Sequence, residues 1–573
     1  MSGGADTAAG WWQTWSQRLL RQLPLVVLAL GVGGQGVLLL SRVGHGWFGV
    51  DALHYLAQRG AVTTPSESLM EPYAGHWQPL LVLGYRTLYE FFALDSYLPY
   101  VLPGVLVHLA LCLVLYAVCV RVGANRWAAV LAAISLAWFG AGSEAFLADA
   151  PVALTSTVLV AFVCSGLVLR EPWSRRSLVV AGVLLVCALM VSNASVIAVV
   201  FVGLVVVARR GWRPGAILVG VPAVVYLVWF ATAGRSGERG RVGAADLLVL
   251  PERAAGLLVA PFESLTSGGL GGAVLVAVLV GPFLASGLSP RLRTLAWAGM
   301  VAALAQALLS SAANVALGPD AVLVGRYQYV VLAYLMPAVI TTLTLVVEVA
   351  RPATTRFVSE ARSGLAPVVV LAVVVAMVLL NGLQGENATW RLTKSEARKA
   401  ETLTKGGVAA IALGERMLEP DAGGFTVHGD DIQTLGDVGG ASWASLKATP
   451  EQRLAAEAAL FTAAGPETFF VQAPAMLSSP SFDKPLKEKF GCQRVMATVL
   501  DPQVTMTSFQ GAQIAVESAS TTVSVEVSRD DESADAVTWQ LTPGETSYVA
   551  TTAQLAEVTL TFNAGGSYLI CRS

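Results

Sequence analysis

With 573 residues, 55% apolar and only 13% charged, and a mean hydropathy of +0.62, the chain is too apolar for an ordinary soluble protein. Its net charge of −2 excludes a broadly basic nucleic-acid binder, so no nucleic-acid partner is expected. The apolar residues are unevenly spread: long Val/Leu/Ala runs dominate residues 1–383, whereas 384–573 has a soluble composition and most of the lysines.

The N-terminal stretch MSGGADTAAGWWQTWSQRLLRQLP does not read as a cleavable signal peptide, because tryptophans and arginines precede the first apolar run and no small-residue cleavage site follows it. Residues 1–22 are expected to be cytoplasmic, with Trp11, Trp12 and Trp15 as an interfacial anchor. A membrane-crossing helix needs roughly 20 mostly apolar residues, and about eleven stretches qualify. They are 23–41, 98–120, 127–141, 151–169, 177–191, 194–208, 214–233, 272–288, 295–311, 327–349 and 365–383. The pair 177–191 and 194–208 also reads as one broken helix, which would invert everything downstream. Gly31, Gly33 and Gly36 in GVGGQG fit G-x-G-x-x-G, but no strand precedes them, so close helix packing is the better reading.

Arginines alternate with these spans. Arg18 and Arg21; Arg121 and Arg126; Arg170, Arg175 and Arg176; Arg209, Arg210 and Arg213; Arg291 and Arg293; and Arg351, Arg356 and Arg362 fall in short loops on one side. The positive-inside rule makes that side cytoplasmic. Residues 384–573 are then extracytoplasmic. The other side carries long loops with most of the acids, which points to a site at the outer membrane surface.

The first outer loop, 42–97, opens with GWFGVDALHYLAQRG. On a helix Asp51, His54 and Tyr55 share one face at i, i+3, i+4 spacing. The loop closes with WQPLLVLGYRTLYEFFALDSYLP, where Leu80, Leu81, Leu88, Phe91 and Phe92 oppose an Arg86/Glu90 pair, as in an interfacial helix. Between them EPYAGHWQPL (71–80) is a proline- and glycine-bearing turn that holds His76 near the membrane, with Trp77 as a headgroup anchor.

This layout resembles the GT-C superfamily of membrane glycosyltransferases. GHWQPLLVLGYRTLYEFFALDSYLPYVLPGVLVHLALCLVLY is similar to actinobacterial multi-span proteins of that type. AGSEAFLADAP (141–151) matches the family's second outer loop, and VGRYQYVVLAYLMP (324–337) resembles the Arg-Tyr opening of a late span. Where many relatives have two adjacent acids, this chain has the single acid of Val50-Asp51-Ala52.

The resemblance implies transfer of a sugar, with inversion, from a polyprenyl-phosphate donor to a cell-envelope acceptor such as a cell-wall glycan. It implies Asp51 as the general base. It also implies Arg326 and His76 as partners of the leaving phosphate, and His54, Trp77, Glu144, Asp149 and Tyr327 as further substrate-binding residues. No cofactor and no metal ligands are indicated.

Each residue has a plainer reading. Asp51 also fits a helix N-cap, His76-Trp77 an interfacial anchor, Glu144 and Asp149 solvated loop acids, and Arg326 a snorkelling span-end arginine. His108, inside a span, reads as packed and hydrogen-bonded to a neighbouring helix, although buried ionisable groups in membranes are functional candidates.

In 384–490, an α/β region, ENATWRLTKSEARKAETLTKG looks helical, while VAAIAL (408–413), FTVHG (425–429) and TFFVQAP (468–474) look like strands. Thr449-Pro450-Glu451-Gln452 is a capping box for a helix to about residue 463. His428, Asp430 and Asp431 read as a solvated loop rather than a metal or sugar site. Residues 491–573 alternate strongly in RVMATVL, AQIAVES, TTVSVEVS, AVTWQLT, SYVATT, EVTLTFN and SYLICRS, the pattern of a β-sandwich. Cys492 and Cys571, the only outer cysteines, bracket it and are expected to form a disulfide.

The fold class expected is thus an α-helical polytopic membrane protein of about eleven GT-C-like spans with an extracytoplasmic α/β plus β-sandwich domain. Two other functions stay open. One is a non-catalytic envelope scaffold or glycan-binding membrane protein, which the single acid at Asp51 allows. The other is a transporter or flippase, less well served because few polar residues beyond His108, Gln306 and Glu348 lie in the spans. No G-x-x-x-x-G-K-[ST] pattern occurs, so an ATP-driven pump is not expected.

Overall fold

The structure, a computed structural model, describes residues 5–43, 46–60, 67–73, 75–147, 152–234, 244–266, 269–315, 323–358 and 366–411, and strands between 469 and 572. Its helices are α1 (Ala5–Val43), α2 (Val50–Tyr55) running into a π-turn (Leu56–Gly60), α3 (Glu67–Met70), α4 (Pro79–Phe92), α5 (Leu98–Arg121), α6 (Arg126–Ala137), a 3-10 turn (Gly140–Gly142) and α7 (Glu144–Leu147). They continue with α8 (Val152–Val168), α9 (Arg175–Leu189), α10 (Ser195–Arg210), α11 (Trp212–Thr232), α12 (Ala244–Thr266), α13 (Gly271–Leu284), α14 (Pro290–Ala313), α15 (Gly325–Val358) and α16 (Ala366–Ile411). The chain divides into two compact units. Met1–Gly46 with Thr64–Lys394 forms one, and Trp47–Thr63 with Ser395–Ser573 the other.

The first unit is helical and the chain is a membrane protein. Among the described residues, 5 helices are long and apolar enough to cross a bilayer: Gln22–Val43, Leu98–Arg121, Trp212–Thr232, Pro290–Ala313 and Gly325–Val349. Leu247–Thr266 and Gly271–Leu284 qualify only as a pair bent by 110°. The predicted spans 127–141, 151–169, 177–191, 194–208 and 272–288 fall on shorter helices, α6 for example having 12 residues, and 365–383 falls on the start of α16.

In α15 every side chain from Tyr329 to Met336 is buried, which makes it a central helix. By contrast α11 exposes Ile217, Val221, Val224, Leu227 and Val228, an apolar face suited to lipid. Small residues let helices cross closely, with Gly299 against the Tyr334 carbonyl and Gly281 against Thr342. The rejected GVGGQG motif belongs here: Gly31 lies under Ile134 and Gly36 under Leu109, although Gly33 faces open space.

Among the described residues, four of the arginine-bearing loops meet at one end. Arg291 pairs with Glu171, Arg210 Nη2 donates to the Arg170 carbonyl at 3.1 Å, and Gly123 packs on Ser289. Since the start of α9 and the end of α10 both lie there, 177–191 and 194–208 are two antiparallel helices and not one broken one. Helix α12 falls in a stretch whose sequence pattern reads as an outer loop. Pro251, Pro261, Glu252, Arg253 and Glu263 obscure its apolar pattern, and Arg253 Nη1 ties it to the Val315 carbonyl at 3.0 Å.

In the second unit α16 continues to Ile411, so 408–411 are helical, against the strand expected for VAAIAL; the run is rich in alanine, the best helix former. The expected elements at 425–429 and 449–463, and His428, Asp430 and Asp431, lie outside the described residues. The strands are β1 (Phe469–Gln472), β2 (Cys492–Ala497), β3 (Gln503–Thr507), β4 (Gly511–Val516), β5 (Thr521–Arg529), β6 (Glu532–Ser533), β7 (Val537–Leu541), β8 (Thr546–Ala550), β9 (Glu557–Phe562) and β10 (Gly566–Arg572). They form two 5-stranded sheets, β1-β8-β4-β10-β2 and β3-β9-β5-β6 with β7 also on β5. All pairings are antiparallel.

Candidate functional site

At the arginine-poor end of the helical unit, EPYAGHWQPL is a pinned turn. Tyr73 and His76 exchange backbone hydrogen bonds of 3.0 and 2.8 Å, and Gly75 closes the turn at φ 74, where a side chain would be strained. Asn193, at the α9–α10 turn, holds it twice, accepting from the Trp77 N–H and donating to the Gly75 carbonyl, each at 2.9 Å. The Leu80 N–H reaches the Met190 carbonyl at 3.1 Å. Trp77 is not a headgroup anchor. It is buried and stacks on Trp229 of α11 with centroids 5.4 Å apart, because Asn193 draws its backbone inward. Trp229 in turn donates to the Met70 carbonyl at 2.7 Å. His76 is exposed. Then α4 follows as an amphipathic helix that buries Leu81, Val82, Tyr85 and Tyr89 while exposing Leu80, Leu83, Phe91 and Phe92.

A second feature joins two predicted residues. Arg326, in the first turn of α15, sits 3.5 Å from a Glu144 carboxylate oxygen, both side chains partly exposed. Its guanidinium also lies 5.4 Å from the Tyr327 ring centroid. The pairing follows from close packing, since Gly325 lies directly against the Ala141 carbonyl, leaving no room for a side chain. Arg326 is therefore held by Glu144 and Tyr327, and is not a freely snorkelling arginine. Asp149 lies outside the described residues.

On the other face of the 140–142 turn is a cluster the sequence reading missed. Gly140 packs against Gly382, Gly385 and Glu386 of α16, and Gly382 against the Trp138 carbonyl. Beside this crossing Arg42 Nη1 pairs with Glu386 at 2.6 Å, and Arg42 Nη2 donates to Asn387 Oδ1 at 2.5 Å. Gln35 Nε2 donates to the other Glu386 oxygen at 3.0 Å. The Glu386 side chain is 0% exposed and Arg42 10%. Burial pushes the Glu386 carboxyl above its usual range, against the opposing pull of Gln35 and Arg42. The signal was in the sequence, since Arg42 is an arginine on the predicted arginine-poor side of its span and Glu386 is an acid just past the last span.

His108 is a packing residue. Its Nε2 donates to the Ala137 carbonyl at 3.2 Å, its Nδ1 lies 2.7 Å from the Tyr329 hydroxyl, and its ring stacks on Phe146. Asp51 and His54 lie on α2 in the second unit, whereas His76, Glu144 and Arg326 belong to the first. Asp51 is not the N-cap of α2; that position is Gly49, and Asp51 is the second helical residue. Among the described residues no group of three His, Cys, Asp or Glu could hold a metal ion.

No protein-family model and no curated protein matches the chain. Solved structures that resemble it include the following three. ArnT from Cupriavidus metallidurans bound to undecaprenyl phosphate shares 15% identity at a TM-score of 0.45, covering 71% of this chain and 84% of that one. An Archaeoglobus fulgidus oligosaccharyltransferase tethered with an acceptor peptide shares 14% at 0.40, over 76% and 65%. The archaeal oligosaccharyltransferase AglB from the same organism, with an inhibitory peptide and a dolichol-phosphate, shares 16% at 0.40, over 76% and 61%. Likenesses at these levels carry no argument for activity, which has to rest on the chain's own residues.

Proposed function

We propose that the chain transfers a sugar, with inversion, from a polyprenyl-phosphate donor to a cell-envelope acceptor at the outer face of the membrane. Asp51 takes the proton of the acceptor hydroxyl, and Arg326 stabilises the departing lipid phosphate. In this reading the chain makes about eleven crossings, with the arginine-rich end cytoplasmic and the strands extracytoplasmic. His76 and His54 contact the donor or acceptor from the first outer loop.

The observation that carries this reading is the Arg326 pair. An arginine in the first turn of a helix, braced by Glu144 and partly exposed, combines a bidentate phosphate donor with the positive end of the helix dipole. It lies at the arginine-poor end of the unit, where a lipid phosphate would sit if that end is outermost. Its test is a pair of substitutions. Arg326→Ala should lower kcat/KM for the lipid-linked donor roughly 10- to 100-fold, the cost of charge-assisted hydrogen bonds to a phosphate. Arg326→Lys should recover part of the loss, since a point charge remains but the fork is gone. Equal kinetics for Arg326→Ala and the unsubstituted chain would remove Arg326 from the site.

An extracytoplasmic strand region also supports a disulfide. Cys571 of β10 stands directly opposite Cys492 of β2, and antiparallel partners have Cα atoms about 4.5–5.5 Å apart, within disulfide reach. Mass spectrometry of the unreduced protein should find the two peptides linked. Complete alkylation of both thiols without reductant would refute the bond.

A further inference from the structure

The segment that carries Asp51 belongs to the same compact unit as the second half of α16, and one side chain joins the two directly. Lys405 Nζ lies 4.8 Å from the Trp47 ring centroid. It is aimed there by Glu401, one turn earlier on the same helix, whose carboxylate is 2.6 Å away; a glutamate four residues before a lysine is the favourable order on a helix. Among the described residues the Trp47 indole N–H has no hydrogen-bond partner, so its ring contacts fix it. Those are the cation above and Phe48 edge-on at 5.3 Å. Lys405 borders a face of α16 on which Ala397, Ala400 and Thr404 are buried. On the other side of the contact, Trp47 stands just before Gly49, the N-cap of α2, and Asp51 is the second residue of that helix. Phe48, Ala52 and Leu53 around it are buried. The start of α2 is therefore set by where Trp47 is held.

We propose that Lys405 is a positioning residue. Through its cation–π contact with Trp47 it fixes the start of α2 and hence Asp51, so that the extension of the last apolar helix controls the base. The relevance to catalysis rests on Asp51 being that base, whereas the mechanical claim does not.

The test uses the full chain in lipid nanodiscs. An Asp51→Cys reporter is combined with Lys405→Met, Lys405→Arg or Trp47→Leu, and the labelling rate at position 51 by a charged thiosulfonate is followed by peptide mass spectrometry. Lys405→Met and Trp47→Leu should each change that rate roughly two- to fivefold, the scale of one cation–π contact, and Lys405→Arg should restore it. In parallel, with Asp51 intact, Lys405→Met should lower kcat for sugar transfer while leaving the donor KM in place. Unchanged labelling in Lys405→Met overturns the proposal whatever the activity. A changed rate restored by arginine upholds it even if no lipid-linked sugar is turned over, and in that case the assignment of function falls alone.

Discussion

Asp51→Asn should lower sugar transfer by about 10²- to 10⁴-fold, the contribution of a positioned general base, without loss of folded protein. The amide matches the carboxylate in shape but cannot take a proton. At the second position of α2, after the Gly49 cap, asparagine is also a mild replacement, giving up only a favourable charge at the helix start. The variant should run as the parent does on size-exclusion and melt within a few degrees of it. Glu144→Gln, by comparison, should act mainly on donor affinity, because Glu144 braces Arg326. If Asp51→Asn retained full activity while Glu144→Gln abolished it, the base would have to be reassigned.

The second large effect concerns stability. Glu386→Ala leaves Arg42 buried without its anion and Gln35 without its acceptor, and breaking one half of a buried ion pair costs about 3–5 kcal/mol. The thermal midpoint in detergent should fall clearly. Replacing both partners by apolar residues, Arg42→Met with Glu386→Leu, should recover much of that loss, because no orphaned charge remains. The two single substitutions should therefore be strongly non-additive. An unchanged midpoint for Glu386→Ala would mean that the pair does not hold α1 against α16.

How much of this was legible follows from what sequence patterns encode. Apolar runs and arginine alternation report burial in lipid and the charge of short loops, and both are local, so the helices and the gathering of Arg170, Arg210 and Arg291 at one end were readable. The strands at 521–529 and 557–562 were readable for the same reason, alternation being a period-2 signal. Proximity across the bundle was not. Glu144 and Arg326 could each be nominated, but their pairing depends on Gly325 packing onto the 140–142 turn. Arg42 and Glu386 are separated by most of the chain, and neither carries a motif. Trp77 was misread because tryptophan near a span end usually faces headgroups, and nothing in its own segment reveals Asn193 or Trp229 as partners. The helix at 244–266 was hidden by two internal prolines.

The most direct test of the account is whether the chain consumes a lipid-linked sugar at all. The purified protein in nanodiscs would be given a panel of polyprenyl-phosphate sugars with cell-wall glycan acceptors, and release of free polyprenyl phosphate followed by mass spectrometry beside the Asp51→Asn variant. The account predicts release from at least one donor by the unsubstituted chain and almost none by Asp51→Asn. Equal release by both proteins would contradict the role of Asp51. Binding of donor or glycan without release from any donor would make the chain an envelope scaffold or glycan-binding protein instead.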